Sequence, residues 1–196
     1  MLTPTKVITL RYGLKTLCYR TEKKKVTRRW LALPTLFATL SLSALSVVAA
    51  PAAHASGDDY PYRTDTTQSA DPWGFTKRQC VSFVASELKQ HGVAISNASQ
   101  RWGNARDWDE AARRLGKTVS TRAKVGAVAQ WNAGESSSFY PAGGGTGTLT
   151  AGSYGHVAYV TNVYGDGTVR VEQYNMSGNR AYSAMHVRAP RYLYVG

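Results

Sequence analysis

Cys80 stands in "TKRQCVSFVASELKQHG", directly ahead of apolar residues at helical spacing. A thiol in the first turn of a helix meets free backbone N–H groups and the positive end of the helix dipole. Both favour the thiolate, which is the reactive form. Lys77 and Arg78 add positive charge beside it. A thiolate nucleophile needs a base, most often histidine, and a group that orients the ring. After residue 55 the chain offers His91, His156 and His186. His91 falls at the far end of the Cys80 helix, where a cation complements the dipole, and reads as structural. His186 lies in a polar stretch and reads as exposed. His156 opens the strongest strand pattern of the chain, "HVAYVTNVY", behind Gly155, which permits close backbone approach. Cys80 and His156 are the candidate nucleophile and general base.

The orienting group is expected from the strand after His156. "VYGDGTV" reads as a hairpin turn. With a two-residue Asp-Gly turn, His156 shares a face with Gln173 and Asn175. With a three-residue loop the register slips by one, and Glu172 and Tyr174 take that face. The Asp-Gly signal favours Asn175, whose side-chain oxygen can accept from the imidazole and fix its tautomer. Glu172 and Gln173 are the alternatives. Gln79, just before Cys80, is a candidate donor to an oxyanion, beside the Cys80 N–H.

The compartment decides what a lone thiol means. Residues 1–30 are basic, and an apolar run over 31–50 ends in "PAAHA". That sequence reads as a secretory signal peptide over 1–55, cleaved after Ala55. Paired arginines in "TRRWLAL" leave Sec and twin-arginine export both open. No membrane anchor is expected after processing. The chain's two cysteines are Cys18 and Cys80, so Cys80 alone stays in the exported part. An odd cysteine outside the cell is a reactive thiol or an interchain bridge, or else an inert buried residue.

Charge follows the same division. The whole chain carries +12, but residues 1–55 hold nine of its 24 basic residues and one of its 12 acidic ones. The remainder carries +4, with 15 basic against 11 acidic residues. That is too little to argue for nucleic acid and suits an acidic wall polymer.

The elements that must position these groups are legible in outline. Residues 56–71 are polar and read as an N-terminal arm, followed by one domain over 72–196. A helix is predicted over about 77–91, capped by Thr76 and ended by Gly92. A second follows Asn104 in "NARDWDEAARRLG". The period then changes to two, with strands predicted at 125–131, 156–164, 168–174 and 191–195. The Gly/Ser-rich stretch 132–155 reads as a long loop, a groove border or a surface insertion. Helices before an antiparallel sheet give an α+β fold. Trp73, Trp102, Trp131 and Tyr154 are candidates to line a groove or to fill the core.

In order, "DPWGFTKRQCVSFVA", "WGNARDW", "KVGAVAQW", "YGHVAYV" and "VEQYN" resemble the CHAP family of cysteine- and histidine-dependent amidohydrolases/peptidases. The resemblance spans about 60–195. It implies a papain-like fold and a secreted bacterial hydrolase acting on a peptidoglycan amide bond. The bond would be that of an N-acetylmuramoyl-L-alanine amidase or of a peptide-bridge endopeptidase. By position it implies Cys80 as nucleophile and His156 as base. The family often places Glu two residues before Asn at the third position. Here those positions are Gln173 and Asn175, so Gln stands where Glu is usual. Some relatives bind calcium near the cysteine. Asp71 is the only carboxylate just upstream, so no metal and no cofactor are expected. The expected partner is peptidoglycan, and the chain is expected to be a monomer. The alternatives are a non-catalytic secreted wall-binding module and an interchain disulfide through Cys80.

Overall fold

The computed structural model describes residues 57–196. The export signal over 1–55, its cleavage after Ala55, and Cys18 lie outside the described residues.

Helix α1 (Cys80–Gln90) is buried almost all round, from Ser82 through Leu88. It begins three residues later than the apolar spacing predicts. Arg78 takes φ +58, which a right-handed helix does not accommodate. Thr76 therefore caps nothing and pairs instead in a short bridge with Ala70. Gln79 takes the N-cap position without a side-chain cap bond. The α1 C-terminus follows the sequence. Gly92 takes φ +79, its N–H reaches Lys89 O, and Val93 N–H reaches Leu88 O. Only glycine enters that left-handed position without cost.

A short α2 (Asn97–Gln100) was not expected. The predicted second helix opens as a 3-10 turn (Ala105–Asp107) and continues as α3 (Trp108–Arg114). At its start, Asn104 N–H donates to Asp107 Oδ2 at 3.0 Å.

Eight strands follow, all antiparallel: β1 (Thr118–Ser120), β2 (Val128–Trp131), β3 (Ser136–Phe139), β4 (Gly147–Thr150), β5 (His156–Val163), β6 (Val169–Tyr174), β7 (Tyr182–Val187) and β8 (Arg191–Tyr194). They form one sheet in the order β1-β8-β2-β5-β6-β7-β3-β4. The fold is α+β, as expected. The stretch 132–155, expected as a loop, instead holds the β3–β4 hairpin. β1 and β7 were also unforeseen.

Central strand β5 is buried on both faces over its first five residues, because alternate side chains enter two cores. Val157 and Tyr159 face the helices, joining Phe83, Val84, Leu88, Trp102 and Trp108. Ala158 and Val160 enter a second cluster with Ala129, Trp131, Val171, Val187 and Tyr192. The sheet curls around this second cluster. Although three strands separate β2 from β3, Trp131 Nε1 donates to Ser137 Oγ at 2.7 Å.

The segment expected as an arm is packed into the same body. Tyr60 is fully buried against Phe83 and Tyr174, and Tyr174 Oη donates to Asp58 at 2.6 Å.

Candidate active site

Two elements carry the candidate residues. Cys80 is the first residue of α1, and His156 is the first residue of β5. Both line one cleft of ≈ 720 Å³, with Gln79, Asn104, Tyr154 and Asn175 among its walls.

Gly155 makes the approach of β5 possible. It takes φ +72, and a Cβ there would lie 2.6 Å from Arg106 N and 2.6 Å from Trp131 O. The next residue, His156, pairs with Trp131 on β2. Its ring is buried, 4 % exposed. Burial holds the imidazole well below its ordinary value, at about 4, against a smaller opposing effect of its bond to Gln173. The ring is therefore neutral at pH 7.

The Cys80 thiol is half-buried and free. Burial, the largest influence, pushes its pKa up. The backbone N–H groups of Val157, Val81 and Cys80 itself oppose this. The uncapped start of α1 thus turns amides towards the sulfur, as the sequence predicts, and β5 adds another that it does not. Burial thus favours a neutral thiol and a neutral imidazole in the resting cleft.

Asn175 does not orient the ring. His156 Nε2 is bonded to Gln173 Oε1 at 2.8 Å. An amide oxygen only accepts, so Nε2 carries the proton and Nδ1 keeps its lone pair. Gln173 is fully buried, and its Nε2 donates to Ser183 Oγ at 3.3 Å and Met185 Sδ at 2.7 Å. Asn175 has left the strand with φ +60. Its Nδ2 donates to Gln79 Oε1 at 2.6 Å, while its Oδ1 accepts Arg180 N–H at 2.7 Å. Glu172 lies opposite Tyr159 on the helix-facing side, where its carboxylate meets Tyr182.

The expected face is correct, but the expected turn is not. The loop is three residues, Gly165–Gly167, closed by Tyr164 N–H to Thr168 O at 2.9 Å. That should have exchanged the faces. A bulge between Val160 and Asn162 shifts the register once more and restores them.

Trp102 and Trp131 are buried core residues, and Trp73 packs against the helix-side core. Of the four aromatic candidates only Tyr154, 67 % exposed, lines the cleft. His91 stacks on Tyr159 at 5.2 Å, away from the cleft. His186, expected exposed, is half-buried between Tyr140 and Tyr164 and bonded to Thr168 Oγ1. Thr76, Thr150 and Ser153 complete much of the polar lining. Sequence patterns carry no signal for such residues.

Compared with known families, residues 70–175, more than half of the chain, match the CHAP domain. The chain belongs to the CHAP domain family. Two relatives are the Staphylococcal secretory antigens ssaA2 and SsaA of Staphylococcus aureus (strain NCTC 8325). Each is 36% identical over 101 residues, 52% of this chain. That covers 29% and 30% of those proteins, so this CHAP chain spans about three tenths of their length. The crystal structure of an N-acetylmuramoyl-L-alanine amidase from Staphylococcus aureus is also similar. It has a TM-score of 0.52 and 25% identity, covering 70% of this chain and 37% of that one. Among the described residues no helix is long and apolar enough to cross a membrane.

Proposed function

We propose that this chain is a secreted peptidoglycan hydrolase that cleaves an amide bond of the cell wall through a Cys80 thioester. The observation that carries the reading is the meeting of Cys80 and His156 in one cleft. Membership of the CHAP family and likeness to an amidase structure support it. The relatives' names support secretion, in line with the export signal read over 1–55. The placing of a thiol at a helix start against an antiparallel strand bearing the imidazole supports a papain-like arrangement.

His156 Nδ1 accepts the Cys80 proton as sulfur attacks the amide carbonyl. The Val157 and Val81 amides lie against the sulfur and stabilise the charge it develops. The tetrahedral oxyanion takes hydrogen bonds from the Cys80 N–H and the Gln79 amide group. Asn175 engages Gln79 Oε1, which leaves the Gln79 NH2 as the group available to a substrate. Asn175 is thus a positioning residue for Gln79, and Gln173 is the one for His156. The imidazolium then protonates the leaving amine. Water, deprotonated by the same ring, releases the acyl group. Tyr154, exposed at the rim, offers a stacking surface to sugar or peptide.

The test is digestion of purified peptidoglycan, with Cys80→Ala beside the wild type and products identified by mass spectrometry. Stem peptides freed from glycan identify an amidase. Opened cross-bridges with peptides still on the sugar identify an endopeptidase. Wild-type and Cys80→Ala digests that match the untreated wall would overturn the proposal.

A further inference from the structure

Three side chains near the start of α1 form a hydrogen-bond chain with a single direction. The Asp71 carboxylate only accepts, so Ser82 Oγ donates to its Oδ2 at 2.5 Å. Ser82 Oγ has then spent its proton, so the Tyr60 hydroxyl, 2.5 Å away, donates to it. Tyr60 Oη in turn accepts Arg78 N–H at 3.1 Å. Each donor points towards Asp71, and bonds aligned in this way polarise one another. Tyr60 and Ser82 are fully buried, and Asp71 is 6 % exposed. Asp71 is itself anchored, because its Oδ1 accepts the N–H groups of Trp73 and Phe75, each at 2.9 Å.

The backbone amide at the head of this chain belongs to Arg78. That residue holds φ +58 two positions before Cys80, a left-handed conformation that a non-glycine residue adopts only at a cost. Such a turn persists only where its surroundings impose it. Tyr60 holds its N–H, and Arg180 O accepts its Nε at 3.1 Å. Gln79, the N-cap of α1, and Cys80, its first residue, follow directly on this turn.

We propose that Tyr60 is a positioning residue for the thiol. Through Ser82 and Asp71 it fixes the Arg78 turn, so Tyr60, Ser82 and Asp71 are working parts of the site. The turnover arm of the test rests on the hydrolase reading above. The labelling arm does not.

Tyr60→Phe removes the hydroxyl and keeps the ring, which packs on Tyr174 at 4.8 Å and Phe83 at 5.9 Å. The full chain is compared with this variant, with Ser82→Ala, with both together, and with Tyr62→Phe. One readout is kcat and KM on soluble muropeptides. The other is the rate of iodoacetamide labelling at the Cys80 peptide, read by mass spectrometry so that Cys18 does not contribute. Tyr60→Phe should lower kcat on the order of ten-fold with KM nearly unchanged, since misplacement of a reacting group acts on the chemical step. Labelling should slow several-fold at fixed pH. Ser82→Ala should reproduce both losses. The double variant should add little, as expected for members of one chain. Tyr62→Phe should change neither.

If Tyr60→Phe and Ser82→Ala melt like wild type and match it in both readouts, the proposal is overturned. Should Tyr60→Phe fail to fold, Ser82→Ala decides by the same two readouts. Should the wild type turn over no muropeptide, slower labelling in the variants still upholds the positioning role, and unchanged labelling removes it.

Discussion

His156 Nε2 meets Gln173 Oε1 at 2.8 Å, so a neutral amide stands where a carboxylate would complete an ion-paired triad. Gln173 fixes the tautomer but supplies no charge to offset burial of the ring. Gln173→Ala should lower kcat on the order of ten- to a hundred-fold and free the ring to change tautomer. NMR of the His156 ring nitrogens reads the second effect. Asn175→Ala should also lower kcat, through Gln79, and leave the His156 nitrogen shifts at wild-type values.

Gln173→Glu should restore the missing charge. An adjacent carboxylate favours the imidazolium, and the imidazolium favours the thiolate. The wild-type thiol is held up by burial, so iodoacetamide labelling of Cys80 should still be rising above pH 8. In Gln173→Glu the labelling profile should move to lower pH. A profile that does not move would mean that residue 173 does not govern the pair.

Acid stability follows from the same ring. His156 titrates at about 4 in the folded protein against 6.5 ordinarily. As the pH falls, the unfolded chain takes up its proton first. The contribution of His156 to stability is therefore level above about pH 6.5 and is lost as the pH drops from there to about 4. The loss amounts to about 3 kcal/mol for this group. Urea unfolding of wild type and His156→Gln across that window tests it. The variant should lose much less between those two pH values.

Gly155→Ala should destabilise the protein by about 2 kcal/mol or more. Its Cβ would enter backbone at Arg106 and Trp131, and its φ of +72 disfavours any side chain. Denaturant midpoints measure the cost. Activity per folded molecule should fall as well, because the same glycine sets the entry of His156 into the cleft.

Tyr154→Ala should raise KM several-fold with little change in kcat. A stacking contact is worth about 1 kcal/mol, and this one lies away from the reacting bond. Tyr154 is exposed and outside both cores, so the variant should melt like wild type.

The placement of Cys80 at a helix start and of His156 at a strand start could be read from the sequence because both are local signals. The α+β class and the two glycine-ended helices were local in the same sense. The third residue was not. Its face depended on a three-residue loop and a bulge near Thr161, two irregularities that cancel. Asn175 then leaves the strand at φ +60, which no alternation pattern shows. The start of α1 is set by Arg78, whose turn is held from Tyr60, 18 residues away. The β3–β4 hairpin escaped because Ser and Gly have little strand preference of their own. Packing on the curled sheet places it there, through contacts such as Trp131 with Ser137.

The central claim is that Cys80 forms a thioester with the acyl side of a wall amide. The most direct measurement is the mass of the Cys80 peptide after acid quench of the protein during turnover of peptidoglycan fragments. The account predicts an added muramoyl or peptidyl mass on Cys80. The adduct should be absent in Cys80→Ala, accumulate when water attack is slow, and name the bond by its composition. Turnover that persists in Cys80→Ala, or an adduct on another residue, would contradict it.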